Sequence, residues 1–267
     1  MSTWVDVHNH MIPGVDDGAR DATESRAAIG ALVADGVERV VTTPHVDGSL
    51  TLDATRLQAR LAEVDRGWDR LKEAVAEMAG EAPSLDRGVE LKLDVPEVDL
   101  SDERLRLAGG RAVLVEFPHM TVPPRSEHAL SMIRRAGYLP LLAHPERYHG
   151  TGGSVSAMAR WLDVGAYLQV NASSLLGQYG ERAQTTARAL LARGWVHCLA
   201  SDYHARGEPN LAAVRRLLES WGGADQARVL FEVNPSRLLA GEAPHPVEPL
   251  EEPDTFRRRL RRILPWR

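Results

Sequence analysis

Trp4-Val5-Asp6-Val7-His8-Asn9-His10 is the stretch whose reading sets the fold. Its apolar start predicts a short buried strand, and in a strand residues i and i+2 share a face while neighbours oppose each other. His8 and His10 therefore project together where the strand passes into the loop Pro13-Gly14-Val15-Asp16-Asp17-Gly18. Imidazole is the commonest protein ligand for borderline divalent metals, so two on one face form half a metal site. Such a pair also occurs as a loop cap beside a surface histidine, and alone it decides nothing. Its weight comes from recurrence, because a metal-capable side chain just beyond an apolar strand returns along the whole chain.

Ala22 to Asp35 has helical spacing, with Ala27, Ala28, Leu32 and Val33 apolar and Gly36 as its stop. Val37 to Thr42 predicts a second strand, which Pro44 ends, leaving His45 on the loop beyond. From Ala54 to Met78 apolar residues fall in steps of three and four. They predict one amphipathic helix, continuous or broken near Gly67, packed on its own domain or forming a dimer seam. Leu85 to Leu91 reads as a third strand, where Glu90 is either exposed by alternation or a ligand. After a loop-rich segment from Pro96 to Gly110, Ala112 to Val115 has the continuous apolar character of a strand buried on both faces. It ends in Glu116, and a buried lone carboxylate is costly enough to require a metal or an arginine. Ser126 to Ala136 is helical, and Tyr138 to Ala143 is a fifth strand delivering His144-Pro145-Glu146-Arg147. Helix Ser154 to Asp163, strand Ala166 to Val170 and helix Glu181 to Arg193 follow, with the polar set Asn171 and Ser173 after the strand. A seventh strand, Trp195 to Ala200, delivers Ser201-Asp202-Tyr203-His204. Leu211 to Trp221, Asp225 to Glu232 and Asn234 to Leu239 read as supporting helices.

With 267 residues and 43% hydrophobic content, the chain can fill one barrel-sized domain or two small ones. No apolar run approaches the roughly 18 residues of a membrane span, and the start lacks a signal-peptide pattern. The cytoplasm is the expected location. Cys198, the single cysteine, excludes an internal disulfide. It also follows His197, but a cysteine-dependent phosphatase needs an arginine six residues after its nucleophile, and position 204 is histidine. The net charge of -5, mixed over both signs, gives no nucleic-acid footprint, so no nucleic-acid partner is expected.

Seven strand-then-helix units predict an α/β fold with a parallel sheet and helices outside, open and doubly wound or closed as a barrel. In either case function belongs at the carboxyl ends of the strands. Those ends carry His8 and His10, His45, Glu90, Glu116, His144, and Asp202 with His204. Imidazole and carboxylate without thiolate suit zinc, manganese or iron. Together with Asp17 they are too many for one ion, and fit two or three ions sharing bridging carboxylates. Such clusters clamp phosphoryl oxygens and lower the pKa of a water toward about 7. Arg147 is then the natural phosphate fork, or else the partner of a nearby carboxylate.

Taken together, His8-x-His10, Asp16-Asp17-Gly18, Thr43-Pro44-His45, Glu90, Glu116-Phe117-Pro118, Ala143-His144-Pro145-Glu146-Arg147-Tyr148 and Ala200-Ser201-Asp202-Tyr203-His204 resemble the polymerase and histidinol phosphatase (PHP) family. More narrowly they resemble its bacterial tyrosine-phosphatase branch of the CpsB, CapC and YwqE type, from about Val5 to Leu239. The aspartate at position 17 is what points to that branch. The resemblance implies a distorted seven-stranded TIM-like barrel over residues 1–243, followed at 244–267 by a proline-rich connector and a basic tail. It implies a manganese centre of two or three ions, with iron or zinc as alternatives. The implied substrate is phosphotyrosine in the tail of a membrane-associated tyrosine autokinase that drives capsule or exopolysaccharide export. Carried over, His8, His10, Glu90 and Asp202 hold the first ion, and Glu90 bridges to a second held by Glu116 and His144. Asp17, His45 and His204 hold the third.

Arg147, Asp202 and His204 are the candidate catalytic residues, with a protonated His204 or a metal behind the departing phenolate. Arg147 and Arg206 are the candidate phosphate contacts, although Arg206 follows His204 more closely than the family pattern expects. Other phosphoesterases on the same scaffold, a histidinol-phosphate phosphatase or a nuclease, and a non-catalytic metal-dependent regulator are the alternatives. The tail from Phe256 to Arg267, basic with interleaved apolar residues, reads as a peripheral contact for an anionic membrane or as a solvated end.

Overall fold

The computed structural model describes residues 3–78, 82–149 and 155–253. Nine parallel-paired strands run through them: β1 (Val5–Asp6), β2 (Arg39–Thr42), β3 (His45–Asp47), β4 (Ser84–Arg87), β5 (Glu90–Lys92), β6 (Ala112–Glu116), β7 (Leu139–Ala143), β8 (Tyr167–Asn171) and β9 (Cys198–Ala200). Nine helices accompany them: α1 (Ala22–Ala34), α2 (Ala54–Ala76), α3 (Ser126–Arg135), α4 (Ser156–Asp163), α5 (Ala172–Leu175), α6 (Gly180–Leu191), α7 (Leu211–Ser220), α8 (Ala224–Arg228) and α9 (Asn234–Leu239). The strands form two sheets, β1-β2-β4 and β3-β5-β6-β7-β8-β9. The predicted alternation of strand and helix is thus present, and every strand pair is parallel.

The expected distorted seven-stranded barrel appears as two parallel sheets, and two of the seven strands are broken. The second strand breaks at Thr43-Pro44 into β2 and β3, and the third breaks at Gly88-Val89 into β4 and β5. Pro44 has no N–H to give a ladder, so the chain turns there, and the neighbouring strand turns at the same level. β2 therefore pairs with β4, Thr42 opposite Arg87, while β3 pairs with β5, His45 opposite Glu90. At the other edge β1 and β9 are joined just past their ends. The Asp202 N–H donates to His8 O (2.8 Å) and the His10 N–H to Tyr203 O (2.9 Å).

All five residues of β6 and of β7 are buried, as expected for strands covered on both faces. Outside them, α2 is continuous through Gly67 and buries Leu57, Leu61, Val64, Leu71 and Val75 against the chain's own body. A side chain at position 67 would meet Ile12 Cγ2 at 2.5 Å, so glycine lets the loop after His10 lie on the helix. The proline-rich segment after α9 packs as well. Val247 and Leu250 are buried, and the Asn234 side chain exchanges hydrogen bonds with the His245 backbone at 2.7 and 3.0 Å. The tail from Phe256 to Arg267 lies outside the described residues.

At the start of β9, His197 Nδ1 accepts the Leu168 N–H (3.1 Å), and burial lowers its pKa to about 4. The unfolded imidazole, near 6.5, takes its proton first as pH falls. Stability should therefore decline between pH 6.5 and 4, by at most about 3 kcal/mol from this group. Urea midpoints measured across that range for the native chain and for His197→Gln check it: the variant should show the shallower decline.

Candidate metal centre

Each strand hands its polar residue to the same end of the sheets. His8 and His10 follow β1, His45 and Glu90 open β3 and β5, Glu116 closes β6, His144 follows β7, and Asp202 and His204 follow β9. Backbone strain marks two of these turns, because His144 and Asp202 hold φ of 35° and 50°, a region that non-glycine residues seldom occupy. The loop carrying Asp16 and Asp17 is laid directly on His10. A Cβ at Gly18 would stand 2.0 Å from His10 O, so only glycine permits that approach.

Three groups of donor atoms result, each with its atoms within 4.8 Å of one another: His8, His10, Glu90 and Asp202; His45, Glu90 and Glu116; and His10, Asp17, His45 and His204. In the first, His8 Nε2 lies 3.1 Å from Glu90 Oε2 and 3.3 Å from Asp202 Oδ1. His10 Nε2 is 3.4 and 3.5 Å from the same two oxygens. In the second, His45 Nδ1 lies 3.1 Å from Glu90 Oε2 and 3.3 Å from Glu116 Oε1. In the third, Asp17 Oδ1 lies 3.5 Å from His45 Nε2 and 3.4 Å from His204 Nε2. All nine sequence-derived candidates except His144 fall in these groups, and His144 Nε2 is 2.9 Å from Glu90 Oε1. The grouping differs from the expected one in that His45 stands beside Glu116 where His144 was expected, and His10 faces two groups.

Buried polar atoms test whether cations fit here. Glu90 Oε2 and His45 Nδ1 are buried without a hydrogen-bond partner, although only 3.1 Å apart. Unpaired buried acceptors are costly, and a shared cation would satisfy both. The donor set of imidazole nitrogens and carboxylate oxygens is chemically suited to that. Electrostatics agree. Burial would raise the Glu90 pKa, but the imidazoles of His8, His10 and His144 outweigh it and hold the group well below the usual carboxylate range. Asp202 is lowered in the same way against its burial, by His8, His10 and His144. Burial alone would depress His8, yet Glu90 and Asp202 lift it to about 9. In the cation-free cluster, protons on imidazole supply the positive charge that the carboxylates demand. His204 goes the other way, lowered by burial and by His10. A protonated His204 behind a leaving group is therefore disfavoured, and a neutral ligand fits its surroundings better.

Several residues that complete the site were not singled out from sequence, Asn171 apart, which was read only as part of the polar set after its strand. Asp16 Oδ2 holds His10 Nδ1 at 2.8 Å, and His10 carries the Asp16 pKa down to about 2 against its burial. Gln169 Oε1 accepts from His8 Nδ1 at 2.8 Å, which leaves His8 Nε2 free to face the cluster. From there the chain of contacts runs on, with Gln169 Nε2 donating to Asn171 Oδ1 (3.0 Å) and Asn171 Nδ2 to Asp202 Oδ2 (2.6 Å). Asp6, buried, accepts from Ser201 Oγ (2.6 Å) and from Asn9 Nδ2 (3.1 Å), tying the end of β1 to the end of β9. Lys92 Nζ approaches Glu116 Oε1 at 4.0 Å. It was findable, being two residues after Glu90 and so on the same face of β5. Partners that orient a metal-binding histidine typically contribute 10- to 100-fold to affinity. Gln169→Leu should weaken divalent-cation binding by about that factor, measured by titration calorimetry.

Arg147 donates from Nη1 to Asp202 Oδ2 at 2.6 Å, so it is an ion-pair partner at the rim of the cluster, with most of its donors unspent among the described residues. Arg206 instead spends Nη1 on Asp17 O (2.9 Å) and Nη2 on Gly18 O (3.3 Å), holding the Asp17 loop. Cys198 is fully buried and its thiol pKa is pushed up by burial, which removes it as a nucleophile. No helix among the described residues is long and apolar enough to cross a membrane.

The chain is similar to known proteins both in sequence and in fold. Tyrosine-protein phosphatase YwqE of Bacillus subtilis (strain 168) is 28% identical over 209 residues, covering 75% of this chain and 77% of that protein. Tyrosine-protein phosphatase CpsB of Streptococcus pneumoniae is 26% identical over 244 residues, covering 88% and 98%. The crystal structures of B. subtilis YwqE and S. pneumoniae CpsB, described as metal-dependent tyrosine phosphatases, supply a fold match with TM-score 0.72 at 23% identity, over 93% of this chain and 98% of that one. A phosphotriesterase homology protein from Escherichia coli, with phosphate in its active site, shares the fold at TM-score 0.55 and 15% identity, over 89% and 99%. Residues 4–240 match the family of capsular polysaccharide synthesis proteins CpsB/CapC, and the chain belongs to that family.

Proposed function

We propose that this protein is a metal-dependent phosphatase that hydrolyses phosphotyrosine on a protein. The observation that carries the reading is three donor groups joined through shared residues, Glu90 above all, with Arg147 at their rim. Its relatives are named tyrosine-protein phosphatases, which supports the same reaction. Divalent cations held by these groups would supply a nucleophile from water at neutral pH and charge to balance a phosphoryl group.

The chain's own residues do the rest. Arg147, anchored by Asp202 on one side, turns its remaining donors toward a phosphate and neutralises charge as phosphorus is attacked. Asp16 and Gln169 fix the ring orientation of His10 and His8. Phenolate, from a group of pKa about 10, departs more readily than an alkoxide, which favours phosphotyrosine over phosphoserine.

The finer reading takes residues 1–243 as the phosphatase domain, a distorted seven-stranded barrel whose breaks at Thr43-Pro44 and Gly88-Val89 are the distortion. It takes manganese as the metal, the cytoplasm as the location, and the phosphotyrosine tail of a membrane-associated capsule or exopolysaccharide kinase as substrate. The basic segment at 256–267 would bring the enzyme near that membrane. The deciding assay compares rates on a phosphotyrosine peptide, a phosphoserine peptide and histidinol phosphate, with manganese and with chelator. Manganese-dependent, chelator-sensitive turnover confined to phosphotyrosine is expected. Preference for histidinol phosphate, or turnover unaffected by the chelator, would refute it.

A further inference from the structure

The short connection between α5 and α6 is not used by the reading above, yet it leans on Arg147. The guanidinium carbon of Arg147 lies 4.3 Å from the ring centroid of Tyr179, a cation–π stack. One turn further on, Arg182 donates to Arg147 O (2.9 Å) and Tyr148 O (2.7 Å), clamping the backbone of the Arg147 segment onto α6. Arg147 is thus held from three directions, by Asp202, by Arg182 through its backbone and by the face of Tyr179.

A held ring normally disappears into a core, but this one does not. Among the described residues the exposed large apolar side chains are Leu52, Leu176 and Tyr179, and the last two, 37% and 38% exposed, sit on this one connection. An aromatic face beside a phosphate fork, with a leucine three residues away, is an apolar wall bordering a charged site. Water gains nothing from such a wall, whereas a planar ring attached through an ester oxygen to the phosphate would bury it.

We propose that Tyr179, with the exposed Leu176 on the same connection, receives the aromatic ring of the phosphorylated side chain and sets a preference for aryl over alkyl phosphates at this site. The inference rests on the phosphatase reading for its substrate class. It adds a cause of aryl preference separate from leaving-group chemistry, and therefore one that persists with probes that cannot be hydrolysed.

The test is binding of phenylphosphonate and methylphosphonate to the manganese-loaded protein, by calorimetry, for the native chain, Tyr179→Ala and Tyr179→Phe. Aromatic pairing contributes about threefold to tenfold in affinity beyond area burial. The native chain should favour phenylphosphonate by about tenfold, and Tyr179→Ala should erase most of that ratio. Methylphosphonate affinity should stay within about threefold, because Asp202 and Arg182 still hold Arg147. Tyr179→Phe keeps the ring and should keep the ratio. Equal weakening of both probes would reduce Tyr179 to a support for Arg147 and overturn the proposal, as would an unchanged ratio or a native chain without preference. Failure of the phosphatase reading would show differently, as absent turnover of the phosphotyrosine peptide by the native chain.

Discussion

Glu90→Gln should cut manganese-dependent hydrolysis of an aryl phosphate by at least about a thousandfold, roughly 4 kcal/mol of lost transition-state stabilisation. Glu90 belongs to two of the three donor groups, and its oxygens stand 3.1 Å from His8, 3.4 Å from His10, 3.1 Å from His45 and 2.9 Å from His144. No other carboxylate in the cluster faces four imidazoles. The amide of glutamine has nearly the same shape but no charge, so it can neither bridge two cations nor balance them. Metal content by elemental analysis should fall together with the rate, to less than one ion per chain. The fold should survive, because the imidazoles that Glu90 keeps charged can shed their protons, and a native far-UV circular dichroism spectrum with a cooperative melt would show it. Near-native rate with near-native metal content would remove Glu90 from the site.

How far the sequence carried can be judged at the same residues. The strand-then-helix alternation was legible because each strand is short and apolar, and stops such as Gly36 after a helix and Pro44 after a strand separate the units. It placed the candidate ligands correctly at one end of the sheets. What it could not show was the break of two strands at the same level, since the apolar run reads through Gly88, whose need for glycine comes from the Leu107 backbone 3.0 Å from where its Cβ would stand. Pairing within the cluster was equally hidden. Asp16 and Asp17 are adjacent in sequence, and only the fold of the loop sends one to His10 and the other to His45 and His204.

Asn171 was legible as part of the polar set after β8, but Gln169, two residues before it and so on the same face, was passed over in the apolar reading of that strand. Tyr179 gave no signal at all, lying in a short turn between two helices whose spacing only the structure reveals. The segment after α9 reads as a connector because proline prevents it from joining a ladder. Its Val247 and Leu250 nevertheless pack into the core, held there by Asn234 and by the Leu250 N–H, which donates to Leu191 O (3.0 Å).

Manganese affinity should rise about tenfold for each pH unit, per proton displaced, between pH 6.5 and 8.5. In the cation-free cluster His8 titrates at about 9 because Glu90 and Asp202 outweigh the cost of its burial, and His10 is raised well above its ordinary value by Asp16, Asp202 and Glu90. Both imidazoles therefore hold protons at neutral pH, and ligation through Nε2 requires those protons to leave. The sign for stability follows from the same shift. A folded pKa of about 9 against about 6.5 in the unfolded chain stabilises the cation-free protein fully below pH 6.5, on the order of 3 kcal/mol for His8. That contribution is lost as pH rises through about 9. Metal binding removes the proton and should reverse the trend, so the Tm of the chelated protein should fall from pH 7 to 9 while that of the manganese-loaded protein rises or holds. Calorimetry in two buffers of different ionisation enthalpy would count the released protons directly. Binding that releases none, with affinity flat across this range, would mean that the cation sits elsewhere and that the imidazoles of His8 and His10 are not its ligands.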